Sequence, residues 1–219
     1  MQIEKYYFAS EILLHYYYCV MLVLLFVSFK VRMKSFRIFV TMLGMLIVAT
    51  CADLILHHVI AVHPNAPRPL VYGLRSIYHV LLFCLLHHYC AYTCEVTNLP
   101  AKTRKPYILL STTMLILFSA ADVAGIYSGR TMHIINGEIA FEGSAVFMAG
   151  YIAFVVMLLV LLIRVRHRLY KRVMHGFFGV MAISELLLFI ARMRGESTYT
   201  AATFLFPLIA VMYLMHSNS

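Results

Sequence analysis

The sequence predicts an all-α, polytopic membrane bundle of seven helices with a short outer hairpin. Three observations predict it. Of the 219 residues, 63% are hydrophobic and 12% charged, where a soluble domain carries about 45–50% apolar and about a quarter charged residues. Apolar runs near the ~20 residues that a helix needs to cross a bilayer recur along the chain. Basic residues crowd into three of the short connections between those runs. A water-soluble fold, a disordered chain, a collagen-like repeat and a small disulfide scaffold are thereby excluded. The connections leave no room for a soluble catalytic domain, so residues 1–219 read as one transmembrane domain.

The first span covers residues 8–29 and is read as a retained helix, because its apolar run lacks a small-residue cleavage site and exceeds the length of a signal-peptide core. The second, 38–62, stops at His63-Pro64-Asn65-Ala66-Pro67-Arg68-Pro69, a turn rich in helix breakers. The third, 70–94, ends before Pro100 and Pro106, and the fourth covers 107–127. Residues 132–141 alternate as two short strands about Asn136-Gly137, the pair that favours a type I′ hairpin turn. The fifth span, 144–163, runs into Arg164-Val165-Arg166-His167-Arg168. The sixth, 175–193, and seventh, 198–216, are joined by Arg194-Gly195-Glu196, and Pro207 is the only proline placed inside a span.

The 18 Lys and Arg against 9 Asp and Glu give a net charge of +9. Twelve of the eighteen lie in the connections after spans one, three and five. By the positive-inside rule those connections face the cytoplasm, which puts the N-terminus outside and the C-terminus inside a plasma membrane. Attraction to anionic lipid accounts for the excess, and nucleic acid is not a predicted partner. The five cysteines all lie in apolar runs and read as small reduced fillers. Tyr16-Tyr17-Tyr18 reads as an interfacial aromatic belt.

Ionisable side chains within hydrocarbon are expensive and normally face the bundle interior, so each is a functional candidate. His15 on span one, Asp53, His57 and His58 on span two, Arg75 and His79 on span three, Asp122 on span four and Glu185 on span six form the candidate ligand-binding set. At 1.5 Å per residue they fall within roughly the outer 6–14 Å of the membrane. Asp53 with His57, and Arg75 with His79, are spaced i, i+4 and so share helix faces. The predicted result is a polar cavity open to the outside, with Arg75 as an anion partner and the carboxylates as counter-charges or cation partners. The competing reading is that these groups pair off as buried bonds that fix helix register. His87 and His88 form a second set nearer the cytoplasmic end; adjacent side chains on a helix point about 100° apart.

The segment Phe206-Pro207-Leu208-Ile209-Ala210-Val211-Met212-Tyr213-Leu214-Met215-His216-Ser217-Asn218 resembles the last transmembrane helix of multi-span sensor regions in Gram-positive bacterial signalling proteins. The basic inner loops, short outer turns and Asn-Gly outer loop are similar as well. The resemblance implies that the last helix leads, beyond Ser219, into a cytoplasmic GGDEF or EAL domain acting on cyclic di-GMP, or into a histidine kinase. No ligand residue is carried over from that family.

The expected function is therefore a membrane sensor domain that binds a small ligand in an outward-facing polar cavity and signals to a cytoplasmic output domain. Its expected partners are the bilayer, the ligand and, as an option, a second copy of the chain. Two alternatives belong to other classes. A transporter or substrate-capturing subunit is disfavoured by the lack of an internal repeat. A haem-binding electron-transfer protein needs two imidazoles at one depth on different helices, which His57 or His58 with His79 would supply. No phosphate loop, HExxH, GxSxG or paired-carboxylate motif is present. This chain alone is read as a non-enzyme without a resident metal or cofactor.

Overall fold

The computed structural model describes residues 2–3, 7–28, 34–63, 65–135, 138–141, 145–168, 179–180, 182–184, 186–190, 203–205 and 207–208. It is predominantly helical, with a small sheet at one end. In chain order the elements are strand β1 (Gln2–Ile3), helices α1 (Phe8–Ser28), α2 (Lys34–Val62), α3 (Arg68–Val96) and α4 (Ala101–Tyr127), strands β2 (Met132–Ile135) and β3 (Glu138–Phe141), and helix α5 (Ala145–Val165). Four helices, α2 to α5, are long and apolar enough to cross a membrane. Spans six and seven are described only at 179–180, 182–184, 186–190, 203–205 and 207–208, all of them helical. Glu185 and the Asn136-Gly137 turn lie outside the described residues.

Helix ends follow local chemistry. Pro67 precedes α3 and Pro69 sits in its first turn, where a missing N–H costs nothing. Asn98, at φ 46°, takes the left-handed position after α3, and the Leu99 amide then bonds the Cys94 carbonyl. Gly129, at φ 70°, does the same after α4, with the Arg130 amide on the Gly125 carbonyl.

Two helices begin at least four residues earlier than the sequence predicts, α2 at Lys34 and α4 at Ala101. The second difference corrects the reading of the Pro-flanked basic segment as a loop. Pro100 caps α4 and Pro106 lies inside it. Pro106 withdraws one donor from the carbonyl four residues back, that of exposed Lys102. Arg104, Nη1 3.0 Å from Glu95 Oε2, ties the new first turn to the last turn of α3.

α3 is the central helix, packed against α2, α4 and α5. Its core partners are aromatic: Phe83 stacks with Phe118 of α4 and lies 5.2 Å from Phe147 of α5, centroid to centroid. Gly150 makes this approach possible, since a Cβ there would stand 2.7 Å from Phe83 and 2.8 Å from Phe118. Tyr89 of α3 donates its hydroxyl to the Phe204 carbonyl at 2.8 Å, which anchors the 203–205 turn to the bundle.

The hairpin forms with Ile135 opposite Glu138 and Ile134 opposite Ile139. A third strand is added that the sequence reading lacked: β1 pairs antiparallel with β3, Gln2 opposite Phe141, in the order β1-β3-β2. Two residues carry too short a pattern to be read as a strand. Met132, Ile134 and Ile139 pack on Leu56, Ile60 and Val71, so the sheet sits on the C-terminal end of α2 and the N-terminal end of α3.

The outer surface of the helices carries Ile12, Val48, Leu109, Ile116, Leu117, Ile152 and Ile163, each at least half exposed. Water would not tolerate that much apolar surface on one small domain; lipid does.

Candidate functional site

The site lies in the half of the bundle nearest the sheet, roughly 5–16 Å along the helices from their sheet ends at 1.5 Å per residue. Asp53 is on the buried face of α2, and four residues later His57 occupies the same face. Arg75, on α3, brings Nη1 to 3.3 Å from Asp53 Oδ1, while His57 Nε2 stands 3.7 Å from the same oxygen. Arg75 is 1% exposed and is the largest of the fully buried side chains. Its guanidinium carbon lies 5.8 Å from the Tyr78 ring centroid, within range of a cation–π contact.

One turn further along α3, His79 donates Nδ1–H to Asp122 Oδ2 of α4 at 2.6 Å. The other side of the imidazole stacks on Phe147 of α5, centroids 4.5 Å apart. The spacings read from the sequence thus place Arg75 against α2 and His79 against α4 and α5. Five predicted residues, Asp53, His57, Arg75, His79 and Asp122, are brought together in two buried polar groups: Arg75 and His57 about Asp53, and His79 hydrogen-bonded to Asp122.

The other three stand elsewhere. His15 faces the α1–α2 seam. Its Nδ1–H donates to the Glu11 carbonyl at 2.8 Å, which leaves Nε2 to accept from the Thr50 hydroxyl at 3.2 Å or the Cys51 thiol at 3.3 Å. His58 is exposed on the outside of α2 and does not join the buried network, because the residue next to His57 points about 100° away. Glu185 is not among the described residues. Of the tyrosine triplet, Tyr16 and Tyr17 are exposed as a belt requires, but Tyr18 is buried. In the second set, His87 Nδ1 meets Ser111 Oγ of α4 at 2.9 Å, and His88 Nδ1–H donates to the Cys84 carbonyl at 2.8 Å.

Sequence reasoning missed Glu11. It lies in the first turn of α1, is 1% exposed and feels the charge of Asp53. The signal was available: Glu11, His15 and Tyr18 recur at helical spacing along one stripe of α1. Among the described residues, no three His, Cys, Asp or Glu side chains converge on a point that would hold a metal ion.

Four helices long and apolar enough to cross a membrane, with charged groups buried between them, give the chain the make-up of a helical membrane protein. No protein-family model, no curated protein and no solved structure matches this chain.

Proposed function

We propose that the chain is the membrane-embedded sensor module of a signalling protein, with seven crossings, its N-terminus outside and its C-terminus inside. A small polar ligand reaches the buried network from the sheet side and changes how α2, α3 and α4 pack. The last span passes that change to an output domain after Ser219, of the GGDEF, EAL or histidine-kinase kind. One observation carries this reading: Arg75 is withdrawn from solvent and meets Asp53 across α2–α3, one turn from the His79–Asp122 pair. Register alone needs far fewer charges than this, and ionisable groups within a membrane mark ligand or ion sites by default.

The test uses the purified chain in lipid nanodiscs and in proteoliposomes, with a panel of small organic acids, amines and sugars. Saturable thermal stabilisation by one class, weakened by Arg75→Lys and His79→Gln and unaccompanied by solute uptake, is the expected result. Saturable uptake would make the chain a transporter instead. Stabilisation by none of the three classes would remove the ligand site.

A further inference from the structure

A thiol in apolar surroundings rests as inert S–H unless a base within reach of the sulfur makes it a nucleophile. Among the described residues, only Cys51 has an imidazole on its sulfur: His15 Nε2 of α1 stands 3.3 Å from Cys51 Sγ of α2. Cys19 is exposed and Cys84 is half-buried. His88, one turn along from Cys84, bonds the Cys84 carbonyl rather than its thiol. Cys90 and Cys94 are buried within the bundle.

The other ring nitrogen fixes where the His15 proton sits. Nδ1 lies 2.8 Å from the Glu11 carbonyl, and a carbonyl oxygen only accepts, so Nδ1 carries the hydrogen. In the neutral ring Nε2 is then a lone pair within reach of the thiol. The Thr50 hydroxyl, 3.2 Å from Nε2, competes for it, but its single proton also has the Leu46 and Ile47 carbonyls as acceptors, each at 3.0 Å. Tyr18 packs edge-on against the imidazole, ring centroids 5.6 Å apart, and restrains its plane. A thiol, a base on its proton and a third group that orients the base make up the arrangement of an activated nucleophile. Val48 and Ile55, one turn to either side of Cys51 on α2, are exposed, as is Ile12 one turn before His15 on α1. The half-buried sulfur therefore opens towards the acyl chains. It lies about 16 Å along α2 from Val62 at 1.5 Å per residue, deep in hydrocarbon. A charged reagent does not reach that depth, and a reaction that needs water to finish would stall there. Conjugate addition needs neither charge nor water.

We infer that Cys51 is a covalent modification site for neutral α,β-unsaturated carbonyl compounds dissolved in the bilayer, with His15 as its base. Nε2 takes the thiol proton as the sulfur bonds the β-carbon, and the C=C π pair moves through the α-carbon onto the carbonyl oxygen as an enolate. The imidazolium then returns the proton to the α-carbon. The sum is addition of S–H across C=C, with no leaving group and no oxidant. The Arg75 network takes no part in this step, so the reactivity of the thiol is independent of the sensor reading.

Cinnamaldehyde, a neutral enal that enters lipid, is the probe. It is added to the nanodisc-embedded chain, and the adduct at each cysteine is timed by peptide mass spectrometry after borohydride trapping. Cys51 is expected to react at least about tenfold faster than Cys84 and than the more exposed Cys19. His15→Gln is expected to slow Cys51 at least about tenfold while Cys19 and Cys84 keep their rates. A sulfonated maleimide, which does not enter the bilayer, should leave Cys51 unlabelled. Cys51 reacting no faster than Cys19 and Cys84 in the wild-type chain would overturn the assignment, and that comparison needs no variant to fold. An unchanged Cys51 rate in His15→Gln would overturn it as well. Labelling of Cys51 by the sulfonated maleimide would mean that water reaches the thiol and would overturn the bilayer-borne class of reagent.

Discussion

Asp53 of α2 and Arg75 of α3 meet at 3.3 Å where neither is more than 1% exposed. Both charges have left water, which costs several kcal/mol per ion, and their attraction repays this only in favourable geometry. Such a contact is weak evidence for stability as a purpose and better evidence for a site. The neighbouring His79–Asp122 hydrogen bond lies one turn along, so α3 carries one buried polar contact to α2 and one to α4.

The His79 imidazole has two separable roles, a hydrogen bond to Asp122 and a stack on Phe147. His79→Phe keeps the stack and loses the bond. It is expected to cost about 1.5–3 kcal/mol, the range for hydrogen bonds to charged groups. His79→Gln retains a donor and is expected to cost less than half as much. Chemical unfolding of both variants in mixed micelles measures the difference.

Gly150→Ala sets two effects against each other. Alanine is worth about 1 kcal/mol more than glycine within a helix. The new Cβ would stand under 3 Å from two rings, Phe83 and Phe118, and overpacking a core costs about 1–3 kcal/mol. Net destabilisation of about 1–2 kcal/mol is expected, read as a lower Tm, and it should fall when Phe118→Leu is added.

Replacing the ion pair with apolar residues separates stability from function. Asp53→Leu combined with Arg75→Met is expected to leave stability unchanged, or to raise it by about 1–4 kcal/mol, as in other buried pairs replaced whole. Ligand-induced stabilisation should disappear in the same variant. Thermal unfolding with and without ligand checks both halves of this expectation.

Much of this was legible because spacing on a helix is rigid. Asp53 with His57, and Arg75 with His79, were placed on shared faces by their i, i+4 intervals alone. Which face meets which neighbour is decided by packing, so the spacing alone did not say which carboxylate would serve as the counter-charge of Arg75; packing turns it to Asp53. Glu11 escaped notice because an acid in a helix's first turn reads as an end residue, and only the burial of that turn makes it part of the site. His58 lies apart from the buried network because one residue of offset turns it outward. The Ala101 start of α4 was hidden by Pro100 and Pro106, which punctuate a loop as readily as a helix entrance. Strand β1 owes its form to pairing with β3, a partner more than a hundred residues away, rather than to its own two side chains.

The most direct measurement of the central claim is a double-mutant cycle on Asp53→Asn and Arg75→Gln, with unfolding free energies taken in one detergent system. Each single change is expected to cost about 3–5 kcal/mol, because it strands a buried charge. The double change should cost less than their sum by at least about 1.5 kcal/mol. Strictly additive costs would mean that α2 and α3 do not meet through these two residues, and the buried network would have to be abandoned.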